Sequence, residues 1–308
     1  MIRRRFAYEL GKVDDINNYL TVMALEDGLS VWYSLDCYYA IDGGFWNYLS
    51  AEENTPEIKA GQTISFKNEI NEGSCGYFQI YKECNLLGNV LSIAFGDNAK
   101  FQYDITGISF VTMFENCWIV EVSKNFLPAT TLSESCYGNM FMDCGRLVQA
   151  PELPATTLSD YCYESMFRNC KSLTQAPELP ATTLSDYCYY YMFDGCYNLT
   201  TAPSILPATT LASNCYNGMF SYCTSLTTAP ELPATTLASN CYFYMFYGCS
   251  KLNYIKAMFT TEPSNSYTSY WVNGVASTGR FVKNKNATWN VTGVNGIPSG
   301  WSIQSAAQ

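Results

Sequence analysis

Histidine is missing from all 308 residues. That absence removes Ser-His-Asp and Cys-His catalytic arrangements, imidazole metal sites and the commonest general base. Charged residues are sparse, at 14%, and leave a net charge of −10. An excess of that sign argues against nucleic acid and anionic membrane surfaces as partners. No stretch approaches the ~20 apolar residues of a membrane helix, so membrane insertion is not expected. The basic trio Arg3, Arg4 and Arg5 precedes FAYELGKVDD, which holds acids and no apolar run, so no Sec leader is expected. No two cysteines have C-x-x-C spacing, so no structural zinc is expected. The only paired glycines that invite a phosphate reading, Gly43-Gly44, sit in a hairpin signal, and no cofactor is implied.

Carboxylates are what remains for catalysis. Asp36, Asp42, Glu52 and Glu53 would suit a glycosidase, which needs two acids about 5 to 10 Å apart. Nothing in their spacing singles out a pair, and the better reading is solvated loop acids. Glu152, Glu178 and Glu231 recur at one place in a repeat, as a cation ladder would, but Ser204 interrupts the row. No catalytic residue is assigned, and the chain is not expected to be an enzyme.

Repetition is what the chain does have. LPATTLSDYCYESMFRNCKSLTQAPE, Leu153 to Glu178, recurs with small changes five times, from Leu127, Leu153, Leu179, Leu206 and Leu232. The first cysteines are Cys136, Cys162, Cys188, Cys215 and Cys241, a step of 26 residues with one of 27. A degenerate sixth copy, Ser109 to Cys117, lies upstream. A period of this size marks units that cannot bury an apolar face alone and must stack.

Counting from the first cysteine, the constant residues are Cys at 0, Tyr at +1, Met at +4, Phe at +5 and Cys at +8. At about 100° per residue these share one helical face, and the variable positions +2, +3, +6 and +7 point away. A helix of about three turns is therefore expected. Ser159-Asp160 and Ser213-Asn214 supply N-cap chemistry, and Asn169, Gly195 and Gly248 suit a left-handed helix end. A leucine at +11, a Thr-rich run and Ala-Pro follow, which read as a short strand and a turn. Two cysteines eight apart on one helix lie about 12 Å apart, too far for a bridge. Ten of the fourteen cysteines are thus expected as free core thiols. Cys37, Cys75, Cys84 and Cys117 stay open.

The Phe-x-x-Cys-x-x-Leu signature, at Phe167, Cys170 and Leu173, Phe193, Cys196 and Leu199, and Phe220, Cys223 and Leu226, resembles the BspA-like class of leucine-rich repeat over about residues 103 to 257. That resemblance implies an α+β chain in three parts. An N-terminal small β-domain at 1–99 would serve attachment or oligomerisation. A leucine-rich-repeat solenoid at 100–259 would carry a short helix and a short strand per unit. A C-terminal β cap at 260–308 would place Trp271, Trp289 and Trp301 over the last repeat. Runs such as YLTVMAL and LSVWYSL, broken by Asp42-Gly43-Gly44 and Ala60-Gly61, support the first part. The stretch from Tyr19 to Phe66 is similar to leading modules of such repeats in surface proteins of gut bacteria and in their phages.

Tyr, Asn, Ser and Gly dominate the variable positions, a composition suited to binding surfaces because tyrosine offers large contact area at low entropic cost. The candidate ligand-binding residues are Tyr190, Tyr191, Asn217, Tyr222, Phe243, Tyr244 and Tyr247. Packing within an assembly and unconstrained drift are the alternatives. The strand positions Gln149, Gln175, Thr201, Thr228 and Tyr254 form a competing surface. The function expected from the resemblance is non-enzymatic: a surface-exposed phage virion component, a fibre or receptor-binding decoration, built in the host cytoplasm. Its partners would be a host cell-surface receptor, glycan or protein, other virion proteins and further copies of itself. The alternatives are an adhesin on the bacterial cell surface and a carbohydrate-active enzyme.

Overall fold

Every fourth residue of the repeat core has a left-handed backbone, and this decides the fold. The computed structural model describes residues 15–68 and 73–306. Arg3, Arg4 and Arg5, on which the leader reading turned, lie outside them. Ser135, Asn139 and Asp143 have φ of 53°, 55° and 60°. The same register positions recur as Tyr161, Ser165 and Asn169, then Tyr187, Tyr191 and Gly195, Asn214, Gly218 and Tyr222, and Asn240, Tyr244 and Gly248. No α-helix accommodates a left-handed residue every fourth position. The expected helix-plus-strand leucine-rich-repeat solenoid is therefore wrong. The structure is mostly β in type, and its one α-helix among the described residues is α1, Ser92–Phe95.

Each repeat forms instead a ribbon of consecutive turns, here called a course, whose amides divide their bonds. Gly138, Met140, Met142 and Cys144 donate to the carbonyl three residues back, at 2.9 to 3.3 Å. The amides between them cross to the next course: Tyr137 to Cys162, Asn139 to Glu164, Phe141 to Met166 and Asp143 to Arg168, at 2.8 to 3.0 Å. In a helix all of these donors would turn inward to residue i−4. Here half of them tie one repeat to the next, so every N–H finds a partner without a helix.

The residues expected inside are inside. Cys, Tyr, Met, Phe and Cys at 0, +1, +4, +5 and +8 are at most 1% exposed in all five copies. The true pattern is two in and two out, a period of four, and over nine residues it differs from the helical period by less than a quarter turn. Stacking then builds columns. Tyr137, Tyr163, Tyr189, Tyr216 and Tyr242 lie ring over ring, as do Phe114, Phe141, Phe167, Phe193, Phe220 and Phe246, at centroid separations of 5.5 to 6.0 Å. All fourteen cysteines are free and buried. The second cysteine of each course points its Sγ at the Phe carbonyl of the course before: Cys170 to Phe141 at 3.2 Å, Cys196 to Phe167 at 3.1 Å, Cys223 to Phe193 at 3.2 Å. That oxygen already accepts the N–H three residues on in its own course, so the thiol occupies its second lone pair.

The N-terminal strands are β1 (Leu20–Ala24), β2 (Trp32–Tyr33), β3 (Cys37–Ile41), β4 (Asn47–Leu49), β5 (Thr63–Lys67), β6 (Gly73–Ser74), β7 (Phe78–Gln79) and β8 (Cys84–Leu87), followed by β9 (Ile108–Ser109) and β10 (Ile119–Val122). One sheet runs β10-β8-β1-β5-β3-β4, antiparallel except where β8 meets β10. Through that parallel pair it continues into the repeats, because Val148 donates to Val120 and Val122 to Gln149. Residues 73–80 already stack on the degenerate copy, with Cys75 donating to Ser109 and Phe78 to Met113. The main core runs from Leu20 to Trp301, on both sides of residue 99, with a small separate cluster of Tyr19, Ala40 and Trp46.

Beyond the fifth copy another ribbon follows, since Tyr244 donates to Ser269, Phe246 to Trp271 and Gly248 to Asn273. Three strands, β11 (Tyr254–Ala257), β12 (Arg280–Lys283) and β13 (Ser302–Ser305), pair in parallel. No strand forms at Trp289 to Val291. Trp271, Trp289 and Trp301 are buried, and each indole N–H reaches a backbone carbonyl: Gly296, Phe259 and Ala276.

Candidate functional site

Outward positions on the turn ribbons bring most of the candidate residues onto one face. Phe243 meets Tyr244 edge-on at 4.4 Å, Tyr244 meets Tyr247 at 5.0 Å, and Tyr247 meets Tyr222 at 5.3 Å. One course group earlier, Tyr190 and Tyr191 meet edge-on at 4.6 Å. Tyr222 is 46% exposed, while Tyr190, Tyr191, Phe243, Tyr244 and Tyr247 are half-buried. The sequence reading missed Tyr161 and Tyr187, whose rings stack at 4.6 Å just before the first cysteine, and Tyr270, which stacks on Tyr244 at 5.6 Å. The sequence places helix caps at Ser159-Asp160 and Ser213-Asn214 and assigns Tyr161 and Tyr187 no role. In a four-residue period they are another outward row.

Asn217 corrects the list. It is 6% exposed, its Nδ2 donates to Asn214 Oδ1 at 3.0 Å, and its own Oδ1 has no partner. Ser165, Asp194 and Ser221, also expected outside, are buried. The cause is size. Courses lie about 5 Å apart, the spacing of paired strands, so a tyrosine ring on one course covers small residues on the next. A Cβ added to Gly218 would sit 2.5 Å from the Tyr191 ring, and one added to Gly248 would sit 2.8 Å from the Tyr222 ring.

Six tyrosines, at 161, 187, 191, 222, 244 and 270, occupy left-handed positions that other courses fill with Gly, Asn, Asp, Ser or Thr. That conformation costs a bulky residue about 1–2 kcal/mol. Among them lies one ion pair, Arg168 to Asp194 at 3.0 Å, with the guanidinium 5.8 Å from the Tyr191 ring. Burial raises the Asp194 carboxyl despite Arg168. Burial likewise pushes the Tyr191 phenol up to about 12 and raises Glu164.

The acids weighed for catalysis hold turns together. Asp36 accepts from the Ala51 N–H at 2.7 Å, Asp42 from the Thr63 N–H at 2.8 Å, and Glu53 from the Ser50 N–H at 3.3 Å. Glu152, Glu178 and Glu231 each reach a neighbouring course, at Lys124, Ser204 and Lys256. Among the described residues no three His, Cys, Asp or Glu are placed to hold a metal, and no helix is long and apolar enough to cross a membrane.

No family model, curated protein or solved structure matches the chain. Function must therefore be argued from the tyrosine face itself.

Proposed function

We propose that the protein is a non-enzymatic recognition protein that contacts a bacterial cell surface through its tyrosine face, as an outer component of a phage virion. The observation that carries this reading is the set of six tyrosines in left-handed backbone. Gly or Asn would fit those positions with less strain, so selection for stability alone does not account for rings there. Rings paired edge to face on a stacked scaffold offer area with little conformational entropy to lose on binding. The virion setting is supported by the likeness of the Tyr19 to Phe66 stretch to leading modules found in phages of gut bacteria, and by fourteen free thiols, which suit folding in a reducing cytosol.

Replacing Tyr222 and Tyr244 together with Gly tests the face. The expected result is a loss of binding to host cells of about ten-fold or more, with the thermal midpoint unchanged or higher. Undiminished binding would remove the face from the function, and a collapse in stability would make the rings structural. Mass spectrometry of purified particles tests the setting, and absence of the protein from them would overturn it.

A further inference from the structure

Along the strand positions, away from the tyrosine face, backbone pairing between courses is interrupted. Glu121 pairs with Gln149, and Gln175 with Thr201. Between Gln149 and Gln175 no backbone hydrogen bond joins the two courses on this side, although their ribbons are bonded from Tyr137–Cys162 to Asp143–Arg168. The pair is therefore clamped along the ribbons and again where Thr156 and Thr157 donate to Thr130 and Leu132 to Thr157, and the gap between these clamps is a cavity of about 620 Å³. Neither Gln149 nor Gln175 uses its N–H in a backbone bond. A second cavity of about 470 Å³ adjoins it, because Lys124, Glu152 and Pro154 line both. The two make one groove, running from the Gln175 course to the 3-10 turn at Ile16–Asn18.

We infer that this groove binds a neutral oligosaccharide. Its polar lining is dominated by carboxamides. Those of Asn18, Gln102, Asn125, Gln149 and Gln175 sit on its walls, and none of the hydrogen bonds found among the described residues uses them. An amide both donates and accepts, as a sugar hydroxyl does, whereas a phosphate or carboxylate ligand calls for donors alone. Charge in the groove is balanced. Its lining holds two lysines, Lys100 and Lys124, and two glutamates, of which Glu152 pairs with Lys124 at 3.9 Å and Glu178 accepts from Ser204. Four prolines, Pro151, Pro154, Pro177 and Pro180, line the wide part. They give rigid walls with no N–H of their own. Tyr103, 54% exposed, offers a ring face at the other end. Volumes of this size suit a ligand of a few sugar units.

The groove shares no residue with the tyrosine face, so the two proposals fail separately. The test is titration calorimetry of the full chain against linear neutral oligosaccharides of glucose, mannose, xylose and N-acetylglucosamine, with a sulfated glycan and a basic peptide as competitors in class. Saturable binding of a neutral member is expected. It should weaken about ten-fold or more in Gln149→Leu/Gln175→Leu, as removal of two hydrogen-bonding groups implies. It should also weaken in Gln102→Leu and persist in the Tyr222/Tyr244 variant. Circular dichroism checks that each variant is folded, which the exposure of Gln149 and Gln175 favours. The inference is overturned if no neutral oligosaccharide binds, if binding survives all the glutamine changes, or if only the sulfated glycan or the peptide binds.

Discussion

Titration of the buried thiols sets the alkaline limit of this fold. Desolvation is the largest influence on every one of the fourteen cysteines. It lifts Cys37, Cys75, Cys117, Cys162 and Cys241 to about 12 and raises the other nine as well. In the unfolded chain the same thiols ionise near about 8.5. Above that pH the unfolded state releases protons that the native state keeps. The contribution of the thiols is thus complete only well below about pH 8.5 and declines through it until the native thiols themselves ionise at about 12 and beyond. Each thiol loses about 0.4 kcal/mol by pH 8.5 and about 1.4 kcal/mol by pH 9.5. For all fourteen that is on the order of 6 and then 20 kcal/mol, more than the ~5–15 kcal/mol that holds a typical domain. Far-UV circular dichroism and ultraviolet thiolate absorbance, followed together with reductant after overnight equilibration, measure this. Both should change in one cooperative step between about pH 9 and 10. Native dichroism persisting at about pH 10.5, or thiolate absorbance rising gradually while dichroism is unchanged, would refute the reasoning.

Two further substitutions probe the packing directly. Cys196→Ala removes the sulfur 3.1 Å from the Phe167 carbonyl and leaves a hole, a loss of about 1–3 kcal/mol in urea denaturation. Cys196→Ser keeps a donor and should lose less, and equal losses would show that the thiol contact contributes nothing. Gly248→Ala places a Cβ 2.8 Å from the Tyr222 ring at φ 73°, which should destabilise by about 1–2 kcal/mol. In a Tyr222→Ser background part of that cost should disappear, and strict additivity of the two changes would contradict the ring-over-glycine packing.

Much of the interior was legible in the chain. The buried stripe of Cys136, Tyr137, Met140, Phe141 and Cys144 followed from apolar spacing, because side chains of that chemistry leave water in either backbone. Asn169, Gly195 and Gly248 read from the sequence as left-handed positions, but as single helix ends, and the structure has them left-handed. Together with Asn139, Asp143, Asn214, Gly218 and Asn240 they recur every fourth residue, and that recurrence was the missed signal for a ribbon of turns. The tyrosine face was legible for the same reason as the core. Asn217 was not, because its burial depends on large side chains of adjoining courses, which no single-unit periodicity contains.

The sequence by itself determined the register of the repeats, the residues that pack inside and the row of variable tyrosines, since each depends on local spacing and side-chain polarity. Only the tertiary structure decided the path of the backbone. An N–H can turn back to its own unit or cross to the next, and the second choice exists only when a neighbouring course stands about 5 Å away. The same contact between courses merged the N-terminal sheet with the repeats and, where it is interrupted between Gln149 and Gln175, opened the groove.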